Sequence, residues 1–158
     1  MFRPRIIPVL LLDNGGLVKT IGFKKPKYIG DPINTVKIFN ELEADELILL
    51  DISASRNNRS IPIEIVQKVG AEAFMPFSVG GGISTIEHAA KCIREGAEKI
   101  VLDTHAALNP DLISQCAQIF GSQSVVVSIN VKKDFFGKYC AYYLNGKNKI
   151  KLPLKDWV

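Results

Sequence analysis

At 158 residues, with 47% hydrophobic and 23% charged residues, the chain has the size and composition of an ordinary globular domain. No apolar run approaches the roughly 18 to 20 residues that a membrane span needs, and Pro8 interrupts the short apolar start with no small-residue cleavage site after it, so neither a membrane protein nor a secreted one is expected and the location reads as cytoplasmic. The net charge of +4 comes from scattered lysines with small groups at Lys24–Lys27 and Lys147–Lys151, too sparse for nucleic-acid binding but compatible with anionic small substrates.

In chain order, short apolar β-branched runs alternate with amphipathic stretches, the pattern of a parallel α/β sheet. Arg5–Leu12 predicts a first strand, and Asp13–Gly30 a long loop with Gly15, Gly16, Gly22 and several lysines. Pro32–Glu43 predicts a helix with Asp31 as N-cap and proline at its first position. Glu46–Asp51 is the second strand; Ile61–Val69 the second helix, capped by Ser60; Phe74–Val79 the third strand, ended by Gly80-Gly81-Gly82. Thr85–Glu95 comes next as a helix capped by Ser84, with Gly96 just past its end. Lys99–Leu102 is the fourth strand, Pro110–Phe120 a helix capped by Asn109, and Ser124–Asn130 the fifth strand. Tyr139–Tyr143 and Lys149–Leu152 predict a hairpin around Asn145-Gly146, and Leu154–Val158 the start of another helix.

A weak internal repeat accompanies this order. Asp45-Glu46-Leu47-Ile48-Leu49-Leu50-Asp51 is echoed by Glu98-Lys99-Ile100-Val101-Leu102-Asp103, and Pro8 to Gly15-Gly16 by Pro76 to Gly80-Gly81. Duplicated βα pairs suit a barrel better than an open sheet. A closed barrel needs eight strands, whereas five are predicted, so the chain is expected to be a fragment or to pair with something. The three cysteines, Cys92, Cys116 and Cys140, are far apart and lack CxxC spacing, which argues against a disulfide framework or a zinc site. Cys92 and Cys116 fall in helical patterns and read as buried thiols.

Four places carry candidate chemistry. Phe77-Ser78-Val79-Gly80-Gly81-Gly82-Ile83-Ser84 puts glycines between a strand and a helix start, where backbone N–H groups can approach a phosphate; three consecutive glycines exceed what a bare turn needs. Leu102-Asp103-Thr104-His105 lies at a strand's carboxyl end, where Thr104 could donate to the same phosphate and His105 could carry a proton or simply be exposed. Asp51 ends its strand facing the mouth, to orient substrate or to make a loop salt bridge. Lys19 comes after Gly15-Gly16 in the first loop, which is either a lid over an anion or a mobile basic loop.

Arg5-Ile6-Ile7-Pro8, Lys19, Gly30-Asp31-Pro32, Asp45-Glu46-Leu47, Leu50-Asp51-Ile52, Val79-Gly80-Gly81-Gly82-Ile83, Asn109-Pro110, Phe120-Gly121-Ser122-Gln123 and Leu154-Lys155-Asp156-Trp157-Val158 together resemble the cyclase subunit of imidazole glycerol phosphate synthase, almost without gaps from Arg5 to Val158. The resemblance implies a (β/α)8 TIM barrel of the ribulose-phosphate-binding type, of which residues 1–158 would be one partial domain: five parallel strands, four helices and the start of a fifth. It implies a glutaminase partner under the N-terminal face, ammonia crossing the interior, and a phosphorylated small-molecule substrate at the top. No cofactor, metal, nucleic acid or membrane is implied. The family's first phosphate site maps onto Gly81, Gly82, Asp103 and Thr104, with Asp103 where the family usually has asparagine. The charged ring that gates ammonia maps onto Arg5, Glu46 and Lys99.

The catalytic positions depart from the pattern. The family places aspartates at the ends of strands one and five, and here Leu11 and Asn130 stand there; neither side chain can act as a general base. Asp13, two residues after Leu11, would share its face and could substitute; Lys19 and Asp51 complete the candidate catalytic set. Keeping Arg5, Glu46 and Lys99 while losing both aspartates resembles a paralogue associated with surface-polysaccharide amidation, which passes ammonia on rather than closing an imidazole. A histidine-biosynthesis cyclase with altered acid–base residues, and a non-catalytic phosphate-binding half-barrel, are the alternatives. Two half-barrels pairing their open edges is a further expectation.

Overall fold

The computed structural model describes residues 4–22 and 24–157; Val158, the last residue of the predicted terminal helix, lies outside them. The opening apolar run forms β1, Val9–Asp13. Where a long loop is expected, the chain instead forms an antiparallel hairpin, β2 (Gly16–Ile21) and β3 (Lys24–Gly30). The two-residue turn Asn14-Gly15, with φ of 50° and 82°, folds β2 back onto β1; it is the asparagine–glycine pair whose double positive φ matches the twist of the flanking strands.

From there the alternation agrees with the sequence. Helix α1 (Pro32–Glu41) starts where expected, the Asp31 carboxylate accepting from the Asn34 N–H at 2.9 Å. Strand β4 (Leu47–Asp51), helix α2 (Ile63–Glu72), strand β5 (Phe77–Gly80), helix α3 (Ile86–Arg94) and strand β6 (Lys99–Leu102) come next. A short helix α4 (Thr104–Leu108) precedes α5 (Asp111–Phe120) and β7 (Val125–Val127). The last part holds β8 (Asn130–Lys133), β9 (Tyr139–Tyr143), β10 (Asn148–Lys149) and α6 (Leu154–Trp157).

Several expected boundaries move for local reasons. Pro76 has no N–H for a ladder, so β5 begins after it and Phe74 is left exposed. Thr85, not Ser84, caps α3, its hydroxyl accepting from the His88 N–H. Pro62 and Pro110 stand at the N-cap positions of α2 and α5 without side-chain bonds, in place of Ser60 and Asn109. The fifth parallel strand stops at Val127, and Asn130 begins β8 in a separate three-stranded sheet of order β10-β9-β8.

The large sheet has the order β3-β2-β1-β4-β5-β6-β7. Its five parallel members, β1, β4, β5, β6 and β7, lie side by side in chain order. A doubly wound sheet would reverse at a switch point; this monotonic order is the winding of a (β/α) barrel wall. The wall is an open arc with β3 and β7 at its ends.

Register sorts each strand into two faces. Leu10, Leu12, Leu47, Leu49, Phe77, Val79, Ile100 and Leu102 point to the helices and share one core with Val36, Val66, Val69, Ala89, Cys92, Leu112 and Cys116. Leu11, Leu50, Gly80 and Val101 line up on the inner face, as do Ile48, Ser78 and Lys99 one step below. All three cysteines are buried and free, and burial pushes the Cys92 thiol up to about 11, which makes it inert near neutrality.

Candidate functional site

The two ends of the inner face carry different chemistry. At the N-terminal floor Glu46, only 8% exposed, accepts from the Arg5 guanidinium and from Lys99 Nζ at 2.8 Å. The Lys99 hydrogen bond is the main cause holding the Glu46 carboxyl below its usual range, and the same bond lifts Lys99. The residues expected to form an ammonia gate are thus brought into one ion cluster across separate segments of the chain.

At the opposite end, the loops after β4, β5, β6 and β7 enclose a cavity of about 150 Å³. Leu11, Leu50 and Val101 form its apolar base, and Gly81, Gly82, Asp103, Thr104 and Asn130 stand around it. The chain thereby assembles the residues expected to hold phosphate, and both positions of the family's missing aspartates, on one cavity. Asp13 and Lys19 are not among its lining residues: Asp13 pairs with Gly16 at the β1–β2 turn, and Lys19, exposed, pairs with Lys27. Alternation along β2 gives Thr20, rather than Lys19, to the cavity.

Asp51 also lines the cavity, but its oxygens are engaged elsewhere. Oδ1 accepts from the Ser53 N–H (2.9 Å), the Ser53 hydroxyl (2.8 Å) and the Ala54 N–H (3.0 Å). Oδ2 meets Arg59 at 2.6 Å. The carboxylate therefore organises the loop between β4 and α2, the salt-bridge alternative that the sequence left open.

The glycine triplet has a packing cause at each position. A Cβ on Gly80 would sit 2.8 Å from both the Leu50 Cδ2 and the Val101 carbonyl oxygen, and one on Gly81 would sit 2.7 Å from Asp51. Gly82, at φ +62°, passes so close to the Arg59 carbonyl that a Cβ would lie 1.8 Å from it. Close approach of the flanking strands at Gly80 and Gly81, and of the Arg59 loop at Gly82, thus accounts for three glycines without a ligand, while still leaving Gly81 and Gly82 at the cavity wall.

Asp103 and Asn130 are hydrogen-bonded to each other, the Asn130 amide donating at 2.8 Å. Burial raises the Asp103 carboxyl above its usual value and the Asn130 bond opposes that shift in part. His105 lies beside this pair on the cavity wall, its basicity lowered first by burial and then by nearby His88. Sequence reasoning missed Asn145, whose side chain donates to the Ile52 carbonyl at 2.5 Å and so brings the β9–β10 hairpin over the mouth. A contact across 93 residues leaves no local signal. It also missed Arg59, for which a carboxylate ending an apolar strand was the available hint. Among the described residues no three His, Cys, Asp or Glu side chains converge as a metal site, and no helix is long and apolar enough to cross a membrane.

Residues 5–158 match the family model described as "Histidine biosynthesis protein". The chain belongs to that family. It is 50% identical over 157 residues to a Pseudomonas aeruginosa protein provisionally named imidazole glycerol phosphate synthase subunit hisF2, covering 99% of this chain and 62% of that one. A Vibrio vulnificus protein with the provisional name subunit hisF3 is 48% identical over 159 residues, covering 100% and 61%. The imidazole glycerol phosphate synthase subunit HisF of Alkaliphilus metalliredigens is 40% identical over 157 residues, covering 99% and 62%. The chain therefore spans about three fifths of the length of these relatives. It is a HisF-like polypeptide, more similar to the two provisionally named proteins than to the Alkaliphilus subunit.

Proposed function

We propose that the protein is the ammonia-receiving subunit of a glutamine-dependent amidotransferase that amidates a surface-polysaccharide sugar. A glutaminase would dock on the N-terminal face, release ammonia at Arg5, Glu46 and Lys99, and the barrel would pass it to the mouth. The observation that carries this reading is the contrast along β6: an intact ion cluster at Lys99 and, at the other end, a cavity in which Leu11 and Asn130 stand at the acid–base positions. Lys99 and Asp103 are about 13 Å of strand apart, the stretch that ammonia would cross. Gly81, Gly82, Asp103 and Thr104 would hold the phosphate of the substrate, and Asp51 would keep that wall in place.

One observation favours the second reading, a cyclase in histidine biosynthesis. A carboxylate persists in the cavity at Asp103, one hydrogen bond from Asn130, so proton transfer there is not lost outright. Complementation separates the two. If the first reading holds, the full-length gene fails to rescue a cyclase-deficient histidine auxotroph, and its deletion abolishes transfer of label from amide-¹⁵N-glutamine to the surface polysaccharide. Rescue of the auxotroph, or unchanged labelling, would overturn it. The non-catalytic half-barrel reading is excluded by glutaminase capture in a pull-down. Self-association through the open edge at β7 belongs to the same proposal and is read by gel filtration.

A further inference from the structure

A second cavity of about 480 Å³ lies beside the first, and the two share Ser55, Gly82, Thr104 and His105. The inner cavity has Asp51 and Asp103 on its wall and no lysine or arginine. The outer one adds Arg56, Arg59, His88 and the Ser84 hydroxyl to the shared His105 and Ser55. The chain has only two histidines, and both are here. They come from different elements, α3 and α4, and lie near enough for His88 to lower the basicity of His105. Arg59 is spent on Asp51, whereas Arg56 makes no hydrogen bond or ion pair among the described residues, so its charge is available. Ser84 Oγ meets Nδ1 of His88 at 3.3 Å, which occupies one ring nitrogen and leaves the other for a ligand.

We propose that Arg56, His88 and His105 form an oxyanion site for a phosphate group in the outer cavity, which adjoins the carboxylate-lined one at His105. Without an anion, an imidazolium at either histidine would face like charge from the Arg56 guanidinium. An anion between them reverses that, because it stabilises each imidazolium. Binding therefore tightens as pH falls. The other charged groups around the histidines are Glu87 and Lys91 on α3, Asp103 before α4, and the Asp51–Arg59 pair in the loop after β4. Tyr143, Leu144 and Asn148 of the hairpin add a neutral rim. The inference concerns binding alone and does not depend on ammonia transfer being the reaction.

Sulfate is the probe that tests it, since it stays a dianion across the pH range while phosphate does not. Titration of the intact chain, monitored through the histidine ring proton resonances, is expected to show both histidine pKa values rising on saturation with sulfate. The affinity should fall by about ten-fold or more between pH 6 and pH 8. H88Q and H105Q should each weaken binding and flatten the pH dependence, while R56Q weakens it and keeps the slope. Inorganic phosphate should bind with the same variant pattern at pH 6. Histidine resonances that ignore sulfate in the wild-type chain overturn the proposal, whatever the variants do. So does an affinity that survives the loss of Arg56, His88 and His105 together.

Discussion

Glu46 and Asp103 are both inward carboxylates at the ends of the barrel wall, and they are met in opposite ways. Glu46 has two cations from separate segments of the chain and its proton is easily lost. Asp103 has one neutral amide and a raised pKa. The floor is thus electrostatically closed within the chain, whereas the mouth keeps a buried carboxylate whose hydrogen-bond partner is a neutral amide. An end that has met its own charges stays charged over a wide pH range; an end that has not is the one whose protonation burial decides.

The scaffold of the mouth should be the most sensitive part. Gly82→Ala forces a Cβ to within 1.8 Å of the Arg59 carbonyl at positive φ, and a loss of about 3 kcal/mol or more is expected in denaturant melts. Gly15→Ala, also at positive φ but with nothing within 4 Å, should cost only about 1 kcal/mol. Equal costs would mean that conformation alone, not the approach of two loops, keeps Gly82.

At the floor, Glu46→Ala leaves Lys99 half-covered without its main partner, and about 2 to 3 kcal/mol is expected. Arg5→Ala removes a mostly exposed arm, 67% accessible, and should cost less than about 1 kcal/mol. The pH profile gives the sign. Because Glu46 has a depressed pKa in the folded state, its contribution is present above the ordinary 4.5 and is lost as pH falls through the lower folded value. Lys99, being raised, contributes below the ordinary 10.5 and loses that contribution as pH rises through its folded value. Wild type should therefore lose more stability than Glu46→Ala on acidification below pH 4.5 and again on alkalinisation above 10.5.

Asp103 reverses the slope. Its raised pKa favours folding below the ordinary 3.8, and that advantage disappears as pH rises through the folded value, so near neutrality the buried carboxylate is a net cost. Asp103→Asn keeps a partner for Asn130 and should melt higher than wild type at pH 7, with the gain shrinking in acid. A variant less stable at pH 7 would show that the mouth, like the floor, is held by its charge.

This contrast also explains what the sequence made legible. The parallel strands and the Asp31 cap stem from periodicity and local capping, readable from nearby residues, whereas Arg5, Glu46 and Lys99, whose bonds span 41 and 53 residues, are grouped only by the family resemblance. The placement of Gly81, Gly82, Asp103 and Thr104 on one cavity stems from strand ends. The β2–β3 hairpin was hidden because glycines and lysines read as loop, although Asn14-Gly15 is itself a hairpin turn. The cause of the glycine triplet was hidden because it lies in the Arg59 carbonyl and Asp51, residues brought near only by the fold. Asp51 was ambiguous for the same reason: its partner Arg59 comes from the loop that Asp51 itself organises.

The smallest effect concerns the cover of the mouth. Asn145 reaches from the β9–β10 turn to the Ile52 carbonyl, and β10 is only two residues long, so the hairpin has little ladder of its own to hold it down. Removing one hydrogen bond with Asn145→Ala should cost about 1 kcal/mol or less in a global melt. Its local effect should be larger in proportion, because sub-global opening draws on local contacts rather than on the whole core. Amide exchange in Tyr139–Tyr143 and Asn148–Lys149 should speed up, while Leu47–Asp51 and Phe77–Gly80 exchange as before. If β4 and β5 speed up together with the hairpin, the cover is part of the same cooperative unit as the wall. The division between a closed floor and a separately adjustable mouth would then be wrong.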